Sequence, residues 1–375
     1  MRFDKSLLSR RRLLAGLGIA GVGAITSLAG AATSDLFVEA HRASRRSDRS
    51  TIQNALDALS RAGGGKLLFE PGRTYDLGSF YTSEPILRVR DLTNAQLDGR
   101  GALLRCNTSA KAKPQIFLVQ RCNGLDVTNF RGTDTGTNLM VDWQGMDFIH
   151  LETTAGLLSG IHLSNIEVDR ANSLLTCSGS GDAPRARDIT LQNAVARSCY
   201  YGLNFMENGD DVFGELTSIN CRRTYFPYGV RRHQIALQIS HDGIGPGADG
   251  CIVIARKERD TGQISVDARF SGVLAWSNLV HLVQQHPAGQ TGHIEDIDLR
   301  LAIDPAIRDP NNAARLALSA YSGRLRLASS LDVWRNINLS GCLDMRGRSP
   351  VVMHTRTQLG AGVTVTGLID QGCLA

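Results

Sequence analysis

The sequence predicts an all-β fold, a single elongated domain of stacked short strands, and three observations carry that expectation. A motif of apolar, any, apolar, any, then Asn or Gly recurs at Leu125-Asp126-Val127-Thr128-Asn129, Ile161 to Asn165, Ile189 to Asn193, Ile337 to Gly341 and Val363 to Gly367. Glycine is abundant at 39 residues while aromatics make up only 6%, as expected where tight turns recur and the interior is aliphatic. A sustained helical period occurs only once, close to the N terminus.

Each copy of the motif reads as a strand with one face inward, because alternate side chains of an extended chain point to opposite sides. The closing Asn or Gly suits a left-handed turn conformation. Ala95-Gln96-Leu97-Asp98-Gly99 is an earlier, weaker copy, and some neighbouring copies lie 26, 28 and 30 residues apart. Val212, Ile235 to Leu237, Ile252 to Ile254, Ile264 to Val266 and Ile297 to Leu299 are further strand candidates in the less regular middle. At roughly 23 to 28 residues per turn of the solenoid, the chain supports about ten to twelve coils. Coils stacked about 4.8 Å apart would align equivalent side chains into ladders.

The one helical pattern opens the stretch Asp48 to Tyr75, DRSTIQNALDALSRAGGGKLLFEPGRTY. Ile52, Ala55, Leu56 and Leu59 fall on one face, with Asp48 or Ser50 as the expected cap and Gly63 to Gly65 ending the helix. Lys66 to Glu70 then reads as a strand, and Pro71-Gly72 as a turn into another. Through Ile52, Gln53, Ala55, Ala58, Gly63 to Gly65, Pro71, Gly72 and Tyr75, this segment resembles the N-terminal cap of the pectate-lyase-like superfamily. The resemblance implies a single-stranded right-handed parallel β-helix whose open first coil is lidded by the helix.

Ahead of this segment, Ser9-Arg10-Arg11-Arg12-Leu13-Leu14 precedes an apolar, glycine-rich run from Ala15 to Ala29, and Ala29-Gly30-Ala31 offers small residues for cleavage. The pattern looks like a twin-arginine export signal, which implies the Tat translocase as a transient partner and a periplasmic or secreted protein. The run is short, glycine-broken and interrupted by Thr26-Ser27, so a stable membrane span is not expected. The expected organisation is a signal over 1–31, a leader over 32–47 and the β-helix over 48–375. Of the formal net charge of +5, four charges leave with residues 1–31, where Arg2, Lys5, Arg10, Arg11 and Arg12 oppose Asp4. A nearly neutral mature chain does not suit nucleic-acid binding, which depends on many phosphate-neutralising contacts. His41 to Arg49 is the one remaining basic cluster and reads as a solvated leader.

The eight cysteines could form four disulfides, yet the chain is far larger than small stapled scaffolds, has repeat stacking to stabilise it and, on a Tat route, folds first in a reducing compartment. Buried thiols are therefore expected, with Cys199 and Cys221, about one coil apart, stacked on each other.

The densest run of reactive residue types is Asn204 to Lys257, and two chemistries fit it. Glycoside hydrolysis needs two carboxylates, about 5 Å or about 6.5 to 9.5 Å apart. Asp210 and Asp211, then His241 and Arg256-Lys257, resemble in order the polygalacturonase pattern of the superfamily. The chain departs from it by lacking an Asn-Thr-Asp element and by reading Ser-His-Asp-Gly for Gly-His-Gly. Adjacent aspartates in a strand would also face opposite ways, and Asn208-Gly209-Asp210-Asp211 is equally a turn sequence. The second chemistry, β-elimination of a uronate polymer, needs a cation, a base and an acid. Arg231, Arg232, Arg256 or Lys257 would supply the charge, and Tyr225, Tyr228, His233 or His241 the proton transfers. Convergence of Glu207, Asp210, Asp211 and Asp242 would make a calcium site, although no diagnostic calcium-loop spacing is present and no cofactor is required.

Together these features lead to the expectation of an exported enzyme that cleaves an extracellular or envelope polysaccharide, uronate-containing, by elimination or hydrolysis. Tyr225, Arg231, His233, His241, Asp210 and Asp211 are the catalytic candidates, and Tyr228, Arg232, Asp242, Arg256 and Lys257 the substrate contacts. The competing class is a non-catalytic β-helix scaffold, adhesin or glycan-binding module. An epimerase or esterase of the same polymers is a third. One fold carries many activities, so geometry must decide.

Overall fold

The computed structural model describes residues 35–42, 47–136, 144–179, 185–243, 250–256, 259–286, 293–304, 306–310, 316–322, 334–342, 351–353 and 363–369. Its strands form two sheets in which every pairing is parallel, one of thirteen strands (sheet A) and one of ten (sheet B). From Leu87–Arg90 onward the chain alternates between the sheets, so each strand pairs with the strand two places on in sequence. That alternation defines a single-stranded parallel β-helix, right-handed as parallel crossovers of L-residues favour. Among the described residues ten sheet B strands, one per coil, are formed, within the expected range.

Stacking aligns the inward residues into aliphatic ladders. Leu125, Ile161, Ile189 and Val212 lie in register in sheet A, and each is fully buried. Phe69, Phe130, Phe117 and Phe148 add edge-on aromatic contacts in the first coils, with centroids 4.8 to 5.8 Å apart. Strands of sheet A bend where a residue enters the left-handed region: Asn129 at φ 61°, Asn165 at φ 53° and Asn193 at φ 52°. Each asparagine amide donates to the previous coil, Asn193 to Asn165 and Asn165 to Asn129 at 3.0 Å, and Asn129 to Asp98 at 2.9 Å. The motif's closing Asn thus both turns the chain and ties successive coils together.

The capping helix spans Asp48–Arg61 and buries Ile52, Ala55, Leu56 and Leu59, as the periodicity requires. Its cap is Ser47, whose hydroxyl accepts from Ser50 N, and not Asp48 or Ser50. Asp48 instead accepts from Asp76 N at 2.8 Å and pairs with Arg42 at 2.7 Å, tying the lid to the first coil. Gly64 follows at φ 147°, where a Cβ would sit 2.0 Å from Thr93 O, so the triple glycine permits a backbone crossing that no side chain could. The strand after it is Gly65–Leu68, shorter than expected.

Part of the presumed leader belongs to the coil. Leu36 and Phe37 pair with Leu67 and Leu68, Val38 is fully buried, and Arg49 donates to the carbonyls of Ile86 and Pro85. Backbone pairing at Leu36 and Phe37 and the buried Val38 side chain dock this stretch, while the Phe37 ring is 48% exposed. The export-signal residues lie outside the described residues. No helix of the described residues is long and apolar enough to cross a membrane. Cys199 and Cys221 are free, fully buried and in side-chain contact, the stacked thiols expected from their spacing.

Candidate functional site

Sheet B places three outward columns side by side. Register aligns Asp147, Ser173, Tyr201 and Arg223 in one. A second holds His150, Thr176, Asn204 and Phe226, and a third Glu152, Ser178, Met206 and Tyr228. The intervening residues, such as Ile149, Leu175, Leu203 and Tyr225, face the core. Across four coils the outer face therefore passes from polar, proton-carrying groups to aromatic and cationic ones.

At the polar end a carboxylate, an imidazole and a hydroxyl stand in line. Asp147 Oδ2 lies 3.1 Å from His150 Nδ1, and His150 Nε2 lies 2.7 Å from Ser178 Oγ. Strict alternation would put residues three apart on opposite faces. Here Phe148 and Ile149 are both packed in the core, so the alternation slips by one and the buried Asp147 meets His150 from below. The next coil repeats the slip at Leu174 and Leu175, which brings Ser173 Oγ within 2.7 Å of Thr176 Oγ1.

Asp147 is fully buried, and burial alone would raise its carboxyl. The Lys113 ammonium 3.6 Å away and hydrogen bonds from His150 and Ser173 outweigh burial and hold it well below the usual carboxylate range. Asn172 Nδ2 adds a further bond at 2.6 Å. An ionised carboxylate can only accept, so the proton between the two groups resides on His150 Nδ1. In the neutral imidazole His150 Nε2 is then the acceptor for the Ser178 hydroxyl.

Beyond this cluster, Asn204 is 1% exposed, yet its amide oxygen has no hydrogen-bond partner among the described residues. A buried, unpaired acceptor is costly, and at this depth the oxygen is closed to a polymer outside the coil. Tyr201 and Phe226 stack at 5.6 Å with rings 16° apart, and the Arg223 guanidinium lies 5.4 Å from the Phe226 centroid. Tyr201 is buried beneath this stack, and the partly exposed Phe226 and Arg223 give the surface its aromatic and cationic character.

Most of the sequence-based candidates come together outside this strip, in bonds to one another and in the core, while His241 and Asp242 stand apart and Tyr228 alone borders the strip. Tyr225 and His233 are inside the coil: the Tyr225 hydroxyl is 2.6 Å from His233 Nδ1, and His233 Nε2 is 2.7 Å from Gly209 O. Burial pushes the Tyr225 hydroxyl up and holds His233 down at about 4, so neither exchanges protons with a polymer outside. Asp210 is buried, accepts from Arg231 N at 2.8 Å and pairs with Arg185 at 2.8 Å. Asp211 faces the other way and takes a two-pronged bond from Arg232 at 2.6 and 3.1 Å, which lowers its carboxyl. Arg231 pairs with Glu295 at 2.9 Å and Asp260 at 3.3 Å, and Arg256 Nε lies 3.9 Å from Asp260. This network occupies the turns that leave sheet B, with Tyr228 at its border on the outer face.

His241 is at the opposite turns, where chains re-enter sheet B. It is buried, accepts from Gly243 N at 2.9 Å and packs edge-on against Trp276 at 5.2 Å. Asp242 exchanges bonds with Asn220 at 2.8 and 2.9 Å, so it does not join Asp210 and Asp211 in a calcium site. Among the described residues, no cluster of three or more His, Cys, Asp and Glu could hold a metal ion. Lys257 lies outside the described residues.

No family model matches the chain, and no curated protein does. Solved structures of similar coil architecture exist. An endo-xylogalacturonan hydrolase from Aspergillus tubingensis aligns at a TM-score of 0.42 and 12% identity, over 89% of this chain and 92% of that one. The catalytic domain of an α-1,3-glucanase, solved with tetrasaccharides, aligns at 0.42 and 14% identity, over 94% and 70%. The A-module of a mannuronan C-5 epimerase from Azotobacter vinelandii aligns at 0.33 and 14% identity, over 91% and 100%. These are likenesses of fold and transfer no residue or activity to this chain.

The sequence signal for the outer strip is the register itself. Asp147-Phe-Ile-His150-Leu-Glu152, Ser173-Leu-Leu-Thr176-Cys-Ser178 and Tyr201-Gly-Leu-Asn204-Phe-Met206 share one spacing of outward residues, visible only once the coils are aligned.

Proposed function

We propose that this protein acts on an extracellular or envelope polysaccharide, uronate-containing, which lies along the outer face of sheet B. The observation that carries the reading is the continuous strip from His150 and Ser178, through Asn204, to Tyr201, Phe226 and Arg223. Its partly exposed members, His150, Ser178, Phe226 and Arg223, supply an imidazole–hydroxyl pair, aromatic area and positive charge within four neighbouring coils. Export by the twin-arginine route, with maturation near Ala31, would deliver the protein to such a substrate in the periplasm or beyond.

Affinity electrophoresis of the mature protein in gels cast with acidic and neutral polysaccharides tests the reading. Retardation by an acidic glycan should weaken about tenfold in Arg223→Ala, the size of one desolvated cation–π or ionic contact, and stay unchanged in Arg232→Ala. Equal weakening of both variants, or no retardation by any glycan, would reject the strip and favour the non-catalytic scaffold. The two cleavage chemistries expected from the residue types are read in the same samples. β-Elimination gives the ultraviolet absorbance of an unsaturated uronate, and hydrolysis gives new reducing ends without it.

A further inference from the structure

The strip carries a more specific chemistry, and the inference rests on the glycan reading above. We propose that Ser178 is a catalytic nucleophile, activated by His150 and oriented through Asp147, and that the protein hydrolyses O-acyl esters on its polysaccharide. Three features support this. The linear arrangement of hydroxyl, imidazole and carboxylate, at 2.7 and 3.1 Å, is that of acyl-transfer enzymes, recognised by geometry and role and not by order along the chain. Asp147 takes hydrogen bonds from His150 Nδ1, Asn172 and Ser173 and an ion pair from Lys113, so in the neutral imidazole the proton is on Nδ1 and Nε2 faces the serine hydroxyl as acceptor.

The third feature is the rigidity of the serine. Its carbonyl oxygen accepts from Asn208 Nδ2 at 2.7 Å and from Thr153 N at 3.3 Å. Gly179 follows it at a spot where a Cβ would stand 2.8 Å from Thr153 Oγ1 and 3.3 Å from Asn208 Nδ2, so only glycine lets these supports close on the nucleophile's backbone. Preorganisation of this kind is what a nucleophile needs and what a solvated surface serine lacks.

The step balances without a cofactor. Ser178 Oγ bonds to the ester carbonyl carbon as its proton passes to His150 Nε2. The bond from that carbon to the sugar oxygen breaks, and His150 returns the proton to the departing sugar oxygen. Water then attacks the acyl-serine, giving its proton to His150. The acyl–Oγ bond breaks, His150 protonates Ser178, and the carboxylic acid leaves. A glycosidic acetal would instead require paired carboxylates free to meet the sugar. Asp147 is enclosed by donors, and Glu152 is engaged by Gln120 at 2.5 Å and Thr154 N at 2.8 Å.

Two measurements on the mature protein test the inference together. A fluorophosphonate probe, followed by peptide mass spectrometry, should label Ser178, and Ser178→Ala and His150→Gln should each lose the label while keeping the wild-type circular dichroism. Acetate release from O-acetylated acidic polysaccharide should fall on the order of a thousandfold or more in Ser178→Ala and in Asp147→Asn, and remain unchanged in Asp211→Asn. A protein that binds the polysaccharide but is neither labelled at Ser178 nor releases acid overturns the inference and leaves the glycan reading intact. Labelling at Ser178 with cleavage of small esters but no polysaccharide retention confirms the nucleophile and rejects the glycan reading.

Discussion

Tyr225 and His233, eight residues apart and on different sheets, meet inside the coil with the tyrosine hydroxyl 2.6 Å from His233 Nδ1. Gly209 O can only accept, so His233 Nε2 carries a proton and Nδ1 accepts from the tyrosine. Tyr225→Phe then leaves a buried imidazole nitrogen unpaired. The variant should lose about 1–3 kcal/mol of stability in urea unfolding and retain wild-type glycan affinity. Lost affinity with unchanged stability would place Tyr225 at the working face after all.

The same pair sets a pH dependence. Burial holds His233 down at about 4 from an ordinary 6.5, so the unfolded chain binds the proton more readily than the folded one. The stability this neutral imidazole contributes is complete above pH 6.5 and is lost as pH falls towards 4, up to about 3 kcal/mol. Urea midpoints should drop over that interval. A flat profile from pH 7 to 4 would contradict the buried, neutral placement.

Asp210 and Asp211 are neighbours with different burdens. Asp210→Asn strips the partner of the part-buried Arg185 and should cost about 3 kcal/mol or more, whereas Asp211→Asn, at an exposed pair, should cost under about 1 kcal/mol. Thermal unfolding separates the two. Equal losses would mean that Asp210 is not the structural member.

The asparagine ladder tests the coil itself. Asn165 sits at φ 53° and bonds both neighbouring coils. Asn165→Ala should cost about 2–3 kcal/mol, from left-handed strain plus lost amide bonds, and Asn165→Gly about 1 kcal/mol, since glycine accepts the backbone angle. An alanine variant no worse than glycine would refute the account of the turn.

What the sequence disclosed follows from which physics is local. The alternation at Ile161 to Asn165 and its sister motifs reports burial and turn conformation residue by residue, so strands, turning asparagines and the lid helix were legible. The working face was not, because it depends on which residues stack across coils of unequal length. Ser178 and His150 are 28 residues apart and gain meaning only from register. Asp147 was further concealed by the slip at Phe148 and Ile149. Reactive residue types were conversely misleading between Tyr225 and His233, where an inward-facing phase turns a tyrosine and a histidine into core. The arginines at 231 and 232 are drawn into ion pairs by carboxylates from neighbouring coils, one of which, Glu295, is 64 residues away.

The central claim is that polysaccharide lies on the outer face of sheet B, and hydroxyl-radical footprinting of the mature protein with and without a retained acidic glycan tests it most directly. Bound glycan should reduce oxidation of Met206, Phe226 and Tyr228, side chains that ring the strip, while leaving the exposed Tyr81 near the lid unchanged. Unchanged oxidation of all three with the glycan demonstrably bound would place the substrate elsewhere on the coil and contradict the account.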